Sequence, residues 1–323
     1  MTKPLTTIVF TRNRPLQLAG YLNSFFRHMG SVAERVFILY KKDSFVPEYD
    51  RVFAEYPQCR VVEETDFHDD FLSIVDQIES EYVVFGTDDM VYFDSVDFPL
   101  IDTAYRERGD LFAFTMKIGP EYYADGKEPI ETEFIGGQAV YKVNWQTATD
   151  RLSGYPFEVS MTIYRKAFVQ ELLRDISRER PRLKKLLAPN SPALALAGLF
   201  VKRKRILRAI NTFHGPNQLE GYGYHWCRKN KSRLAPYVYF QRICAATLQV
   251  NRVNTVAANP VYGGEDLSVK TLNERFQQGF RLDTHYLETH KPAFPLVGHE
   301  FFRLVEKKVS GTFFHFNPPI DRN

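Results

Sequence analysis

The sequence predicts an α/β fold in which a mostly parallel sheet is flanked by helices. Across the first 116 residues, short runs rich in β-branched and aromatic residues alternate with amphipathic stretches of helical period. Several of these runs are almost wholly apolar, as expected for strands that helices cover on both faces. Alternating strands and helices of this kind favour a doubly wound sheet.

Five strands are expected in this region, over Thr6–Thr11, Arg35–Tyr40, Cys59–Val62, Tyr82–Phe85 and Leu111–Met116. The helices between them are also marked. Pro15 suits a first helical turn, and apolar residues from Leu18 to Phe25 then fall on one face. Asp69 or Asp70 can cap a second amphipathic helix. Both helices should pack on the sheet.

The alternation is lost from about residue 117, where loops with glycine and proline separate shorter elements. A helix is predicted over Tyr164–Arg180, and Ser268 can cap a later one. The stretch Val297–Val305 can close the fold as a strand or a helix. The C-terminal region is therefore expected to be the more helical part.

The formal net charge of +3 hides a local excess, since ten lysines and arginines accompany the single acid Glu179 between residues 178 and 208. Whole-chain attraction to nucleic acid is not implied, and no nucleic-acid-binding module accompanies this stretch. The basic residues could instead rest on an anionic membrane surface through 193–208, or form a solvated helix face.

The three cysteines are widely spaced and form no zinc-ligand pattern, so a reducing compartment is the simpler interpretation. The N-terminus lacks the features of a signal peptide, and the longest apolar run, Ala193–Val201, is far shorter than the ~20 residues that span a bilayer. We expect a cytoplasmic protein, with possible peripheral contact at the inner face of the membrane.

The most informative segment is the apolar strand Tyr82–Phe85, which is followed closely by the adjacent carboxylates Asp88 and Asp89. Two like charges at the end of a buried strand are costly without a cation or hydrogen-bond donors. Ligands of open α/β sheets bind at this edge, and a divalent cation shared with a diphosphate would resolve the charge problem. The alternative is that one aspartate simply caps the next turn.

The opening strand and loop, Thr7–Pro15, precede an amphipathic helix and, later, the acidic strand end. In this order the elements resemble the GT-A nucleotide-sugar glycosyltransferases, especially the large inverting family 2. The resemblance implies a Rossmann-like GT-A core that binds the nucleotide-sugar over residues 1–165. Residues 166–323 would form an acceptor-side region packed on the same domain.

The resemblance also implies nucleotide contacts for four residues, which are Thr11, Arg14, Asp43 and Asp88. Asp89 would bind Mn²⁺ or Mg²⁺ in a motif that departs from a strict DxD, since Thr87 stands where the first aspartate would. His299 resembles the late histidine that some such enzymes add as a metal ligand. An ordinary packed or surface histidine is the alternative.

An inverting transferase needs a carboxylate to take the proton of the acceptor hydroxyl. Glu220 lies in a predicted glycine-containing loop where the family usually carries a late acidic motif. Glu158 interrupts an apolar run, and an internal salt bridge with Arg165 is its alternative role. For the acceptor, Trp145 and Tyr222 could stack on a sugar ring, although most aromatics of the chain must belong to the core.

The expected function is transfer of a sugar from a nucleotide-diphosphate donor, expected to be a UDP-sugar, to a saccharide or lipid-linked acceptor in surface polysaccharide synthesis, with inversion. A nucleotidyltransferase would favour a glycine-rich loop after the first strand, and the loop Thr11–Pro15 contains no glycine. A nucleotide-sugar-binding protein without catalysis is the other alternative.

Overall fold

We describe residues 4–126, 128–177, 213–253 and 265–307 in a computed structural model of the chain. The strands are β1 (Leu5–Arg12), β2 (Ala33–Lys41), β3 (Arg60–Glu63), β4 (Tyr82–Thr87), β5 (Met90–Tyr92), β6 (Ala113–Thr115), β7 (Ile130–Ile135), β8 (Gln138–Asn144), β9 (Thr162–Arg165), β10 (Tyr237–Phe240), β11 (Ala245–Leu248), β12 (Phe280–Leu282), β13 (Leu296–Val297) and β14 (Leu304–Glu306). The helices are α1 (Pro15–His28), α2 (Val46–Glu55), α3 (Phe67–Asp76), α4 (Phe98–Glu107), α5 (Lys166–Ser177), α6 (Pro216–Lys229), α7 (Val269–Gln277) and α8 (Thr284–His290). Short 3₁₀ helices cover Pro120–Tyr123 and His299–Phe301.

Within the described ranges, the main sheet has nine strands in the order β3-β2-β1-β4-β9-β6-β10-β8-β7. The first four are parallel to one another, and within this sheet β9 and β8 run against the other seven. The predicted α/β class with a mostly parallel sheet is therefore confirmed. Two smaller sheets, β13-β11-β5 and β12-β14, lie beside it.

Helices cover both faces of the sheet, as the apolar strands predicted. Alternate residues of β1 enter different cores, because successive side chains of a strand point to opposite faces. Val9 packs in the core formed with α1, α2 and α4, whereas Ile8 and Phe10 pack with α3, α5 and α6. Burial on both sides explains why three consecutive residues at the centre of β1, Ile8 to Phe10, are apolar.

Some element boundaries differ from the prediction. Helix α1 begins at Pro15 as expected, but α3 is capped by Asp66, whose side chain accepts from the Asp69 N–H. The predicted helix from Tyr164 begins instead at Lys166, and its last predicted residues lie outside the described ranges. Tyr164 belongs to β9, which pairs with β4 and β6. Pairing with two distant strands overrides the local helical pattern there.

The segment beyond residue 165 contributes to the same sheet as the first half of the chain. Strand β10 lies between β6 and β8, and β11 pairs antiparallel with β5, directly after the acidic strand end. Ser268 caps α7 as predicted. The stretch expected to close the fold, Val297–Val305, holds parts of two short strands and a 3₁₀ turn between them.

The hairpin between β7 and β8 turns through Gly136 and Gly137, whose φ angles are 55° and 79°. Two consecutive positive φ values suit glycine and match the twist of a two-residue hairpin. In the described ranges we find no helix with the length and apolar character needed to cross a bilayer. The basic stretch 193–208 lies outside those ranges.

Gly86 allows helix α1 to pack closely on β4. A Cβ at this position would lie 2.5 Å from the hydroxyl oxygen of Tyr21. The Tyr21 side chain is fully buried, and its hydroxyl oxygen lies 3.1 Å from that of Thr7. Because Tyr21 has no room to withdraw, we expect Gly86→Ala to lower the free energy of unfolding by about 1–3 kcal/mol in urea titrations. The matched change Gly109→Ala has nothing within 4 Å of its new Cβ and should cost less than about 0.5 kcal/mol. Equal losses in the two variants would contradict this account.

Candidate active site

A cleft of about 710 Å³ opens at the carboxyl ends of the parallel strands. Residues at or just beyond the carboxyl ends of β1, β2, β3 and β4 line it, and these include Thr11, Arg12, Arg14, Lys41, Glu64, Thr87, Asp88 and Asp89. Later segments complete the lining with residues that include Ser160, His214, Gln218, Glu220, Gln249, Asn251 and Arg252. Since open α/β sheets bind ligands at this edge, the cleft is the candidate active site.

Asp88 is buried at the floor of the cleft and accepts three hydrogen bonds. Its donors are the Thr11 hydroxyl at 2.9 Å, the Arg12 backbone N–H at 3.2 Å and the Arg14 guanidinium at 2.9 Å. Burial raises the pKa of the Asp88 carboxyl to about 6, although the Arg14 charge acts to lower it. A cap would accept from the turn that follows Asp88, whereas the backbone donor here belongs to β1.

Asp89 shares the same guanidinium. Arg14 Nη1 lies 2.8 Å from Asp89 Oδ2, and the Thr87 hydroxyl donates to Asp89 Oδ1 at 2.7 Å. Burial alone would lower the pKa of Arg14, but the charges of the two aspartates raise it, so the guanidinium stays ionised. One cation therefore faces two carboxylates, and this acidic trio (Arg14, Asp88 and Asp89) retains one negative charge. Asp89 is the more accessible acid, with 19% of its side chain exposed against 5% for Asp88.

Asp43 lies at the rim, outside the lining of the cleft. It accepts from Arg12 Nη2 at 2.8 Å and from Asn13 Nδ2 at 3.2 Å, and these bonds lower the pKa of Asp43. Asn13 itself adopts a left-handed φ of 58°, and its Oδ1 accepts from the Ser44 N–H at 3.0 Å. The loop after β2 is thus tied to Asn13 in the loop after β1 and to Arg12, the last residue of β1, which does line the cleft.

Glu220 lines the same cleft as the acidic trio. It lies in helix α6, which begins at Pro216, so the prediction of a glycine-containing loop was wrong. Its Oε2 accepts from the Val159 backbone N–H at 3.1 Å. Burial raises the pKa of the Glu220 carboxyl, and the negative charge of Glu158 raises it further. A carboxyl group with a raised pKa is suited to accept a proton near neutral pH.

Glu158, the other candidate base, is buried and does not line the cleft. Its carboxylate pairs with Lys117 and accepts from the Thr162 hydroxyl. The expected partner, Arg165, instead donates to the Leu111 carbonyl at 3.2 Å. Glu158 therefore does form an internal salt bridge, but with a different cation.

Three further predicted residues lie away from the cleft lining. Trp145 is fully buried and donates its indole N–H to the Ala235 carbonyl at 2.8 Å, so it packs in the core and has no face for an acceptor. Tyr222 is 44% exposed on α6. His299 lies on a 3₁₀ turn with Nδ1 3.6 Å from the Glu300 carboxylate.

Two residues that sequence reasoning missed hold the acidic trio in place. The Tyr49 hydroxyl lies 2.7 Å from the Thr11 hydroxyl and accepts from the Arg14 N–H at 2.9 Å. The Asn251 carbonyl accepts from Arg14 Nη2 at 2.8 Å across 237 positions of sequence. In the sequence, Tyr49 looks like any core residue of an amphipathic helix. No motif around Asn251 indicates that its carbonyl contacts Arg14.

Asp66, His68 and Asp69 also present potential metal ligands, with their ligand atoms within 4.8 Å of one another. Asp66 caps α3, and the His68 ring is buried with its centroid 4.3 Å from that of Phe213 and its Nε2 3.0 Å from the Ser177 hydroxyl. These residues are not part of the cleft lining, and their contacts describe a helix cap.

No protein-family model matches the chain. The bifunctional glycosyltransferase pgtA of Dictyostelium discoideum is 28% identical in an alignment of 96 residues, which covers 27% of this chain and only 12% of that protein. This relative is a glycosyltransferase by name, so the match supports the resemblance to GT-A nucleotide-sugar glycosyltransferases, with which the mostly parallel α/β sheet also agrees. The match does not single out family 2.

Several solved structures are similar over part of the chain, including the following three. TarS 1–349 of S. aureus in complex with UDP aligns over 53% of this chain and 49% of that one, at 16% identity and a TM-score of 0.37. Glucosyl-3-phosphoglycerate synthase of Mycobacterium tuberculosis with Mn²⁺, UDP and phosphoglyceric acid aligns over 35% and 42%, at 9% identity and a TM-score of 0.28. 4-Diphosphocytidyl-2C-methyl-D-erythritol synthase aligns over 62% of this chain and 87% of that one, at 12% identity and a TM-score of 0.33. Likenesses this weak do not identify which residues of this chain act.

Proposed function

We propose that this chain is a glycosyltransferase that moves a sugar from a nucleotide-diphosphate donor, a UDP-sugar, to a saccharide or lipid-linked acceptor. The observation that carries the proposal is the placement of Glu220 and the acidic trio in one cleft at the carboxyl ends of the parallel strands. A diphosphate site and a proton acceptor are the two parts that such a transfer requires. A role in surface polysaccharide synthesis and inversion at the sugar are proposed from the family resemblance.

The acidic trio fits a divalent metal ion as well as a nucleotide. Asp89 is the accessible acid, one negative charge is left after pairing with Arg14, and carboxylate oxygens are the ligands that Mn²⁺ and Mg²⁺ accept. When bound there, the ion would neutralise charge on the departing diphosphate. His299 lies outside the cleft lining, so we base the metal site on Asp89.

The protein groups divide the remaining work. Arg14 holds both aspartates in a fixed geometry, while Thr11 and the Arg12 N–H fix the buried Asp88. Glu220 takes the proton of the acceptor hydroxyl as that oxygen bonds to the anomeric carbon. The bond from that carbon to the diphosphate oxygen breaks, and its electron pair leaves with the nucleotide.

Asp89→Asn is expected to weaken metal-dependent donor binding. The amide keeps the shape of the side chain but removes the negative charge that attracts the ion, so UDP affinity in the presence of Mn²⁺ should fall on the order of 10–100-fold. Isothermal titration with UDP and UDP-sugars, with and without Mn²⁺, measures this directly.

Asp110→Asn, in the exposed loop after α4, is the matched control and should bind UDP as the wild type does. If wild type binds no nucleotide under any condition, the glycosyltransferase proposal is wrong. Donor binding without any turnover would favour a binding protein that lacks catalysis.

A further inference from the structure

The segment 155–160 connects a buried ion pair to the cleft, because it contains one member of the pair and two residues of the cleft lining. Glu158 is buried, whereas the next two residues, Val159 and Ser160, line the cleft together with Glu220. A fixed negative charge is thereby placed beside the proposed base. Nothing in the reaction as derived above uses this buried charge.

Glu158 is held through both its side chain and its backbone. The Lys117 ammonium pairs with its carboxylate, and both side chains are only 7% exposed. The backbone N–H of Glu158 donates to the Tyr164 hydroxyl at 2.9 Å, and that hydroxyl lies 3.2 Å from the Glu158 carbonyl oxygen. Buried ion pairs add little stability over apolar side chains of similar volume, so stability alone does not account for this one.

The same segment contacts Glu220 directly. The Val159 N–H donates to Glu220 Oε2 at 3.1 Å, and the Tyr155 side chain also interacts with the Glu220 carboxylate. Any movement of residue 158 would therefore shift the groups that orient Glu220.

We propose that the Lys117–Glu158 ion pair positions Glu220. The pair anchors the 155–160 segment and keeps a negative charge next to the proposed base. This inference rests on the proposed function only in taking Glu220 as the catalytic base. The structural coupling between the two carboxyl groups can be tested without any turnover.

The electrostatic surroundings of Glu220 support the coupling. After burial, the charge of Glu158 is the largest influence that raises the pKa of Glu220, and the Val159 N–H and Lys117 lower it. The remaining titratable or charged groups that interact with Glu220 or line the same cleft are Tyr155, Tyr164, Arg12, Arg14, Lys41, Glu64, Asp88, Asp89, His214 and Arg252. Among these influences, the charge of Glu158 can be removed without altering any group that lines the cleft.

The test is a pH titration of the full chain labelled with ¹³C at the glutamate carboxyl carbons. The Glu220 resonance is assigned by its absence in Glu220→Gln. In Glu158→Gln we expect the Glu220 titration midpoint to fall, because the neighbouring negative charge is gone. Thr162→Val removes a hydrogen bond to Glu158 but keeps both charges of the pair. In this variant the Glu220 titration midpoint should stay at the wild-type value.

Glu158→Gln leaves Lys117 without its counter-charge and can fail to fold. The double variant Lys117→Met/Glu158→Gln removes both charges, an exchange that is often tolerated. Its Glu220 midpoint should also fall, but by less, because the lowering effect of Lys117 disappears as well. An unchanged midpoint in both variants would overturn the proposal.

Turnover separates this inference from the proposed function. If Glu220 is the base, Glu158→Gln should reduce kcat on the order of 10–100-fold with little change in KM for the donor, because a misplaced base loses rate and not donor affinity. Full activity of Glu220→Gln would sink the assignment of the base, whatever the titration shows. Loss of activity in Glu220→Gln with an unmoved midpoint in Glu158→Gln would sink the positioning role alone.

Discussion

Glu220→Gln is expected to reduce kcat by about 10²–10⁴-fold while UDP binding stays at the wild-type level. The amide matches the carboxylate in size and can keep a contact with the Val159 N–H, but it cannot take a proton. The measurement is nucleotide release from the UDP-sugar that binds best, together with calorimetric binding of UDP. Rate and binding are thereby separated in one variant.

Glu171→Gln is the control for this change. Glu171 lies on α5, which packs against α6, and it pairs with Arg233 at a more exposed site. Loss of the Glu171 charge should leave kcat unaltered. Equal rates for Glu220→Gln and wild type would show that another group takes the proton.

The pH dependence of the wild-type rate follows from the same residue. Glu220 accepts a proton only when ionised, and its pKa is raised by burial and by Glu158. As pH falls through the raised pKa, the base becomes protonated and the rate declines. The acidic limb of kcat, measured at saturating donor and metal ion, should therefore lie at higher pH than the ordinary pKa of a glutamate, and Glu220→Gln should remove the contribution of this carboxyl.

Arg14→Met is expected to have the largest effect on stability, a loss of about 3–5 kcal/mol in the free energy of unfolding. It leaves two adjacent carboxylates without their cation, and Asp88 has only 5% of its side chain exposed. Urea titration measures the loss. Donor binding should be lost as well, since the acidic trio no longer has a fixed geometry.

Arg12→Met provides the comparison, because Arg12 is the last residue of β1, two positions before Arg14, and also pairs with an aspartate. That pair is exposed, at 42% for Arg12 and 41% for Asp43, so its loss should cost far less stability than the loss of Arg14. Adding Asp88→Asn to Arg14→Met should recover part of the stability by removing one of the unpaired charges. If Arg12→Met and Arg14→Met are equally destabilising, the buried trio does not have the role assigned to it.

Local sequence patterns were sufficient for the fold class and for part of the site. Apolar strands and amphipathic helices have periods that appear within ten residues or so, which is why the parallel core and the Pro15 helix start were predicted correctly. The acidic pair was recognised for the same reason, since Asp88 and Asp89 directly follow an apolar strand. Their place at the carboxyl edge of the sheet follows from chain direction alone.

The partners of those carboxylates were decided only by the tertiary structure. Adjacent like charges required some cation, but the sequence could not show that it is Arg14, fixed in turn by Asn251. Likewise, the sequence left both Glu158 and Glu220 as candidate bases, and the structure separates them by pairing the buried Glu158 with Lys117 while Glu220 lines the cleft. Such contacts join residues far apart in the chain, and no periodicity records them. Hydrophobic pattern is a property of neighbours in sequence, whereas the pairing and the pKa of a buried charge depend on neighbours in space.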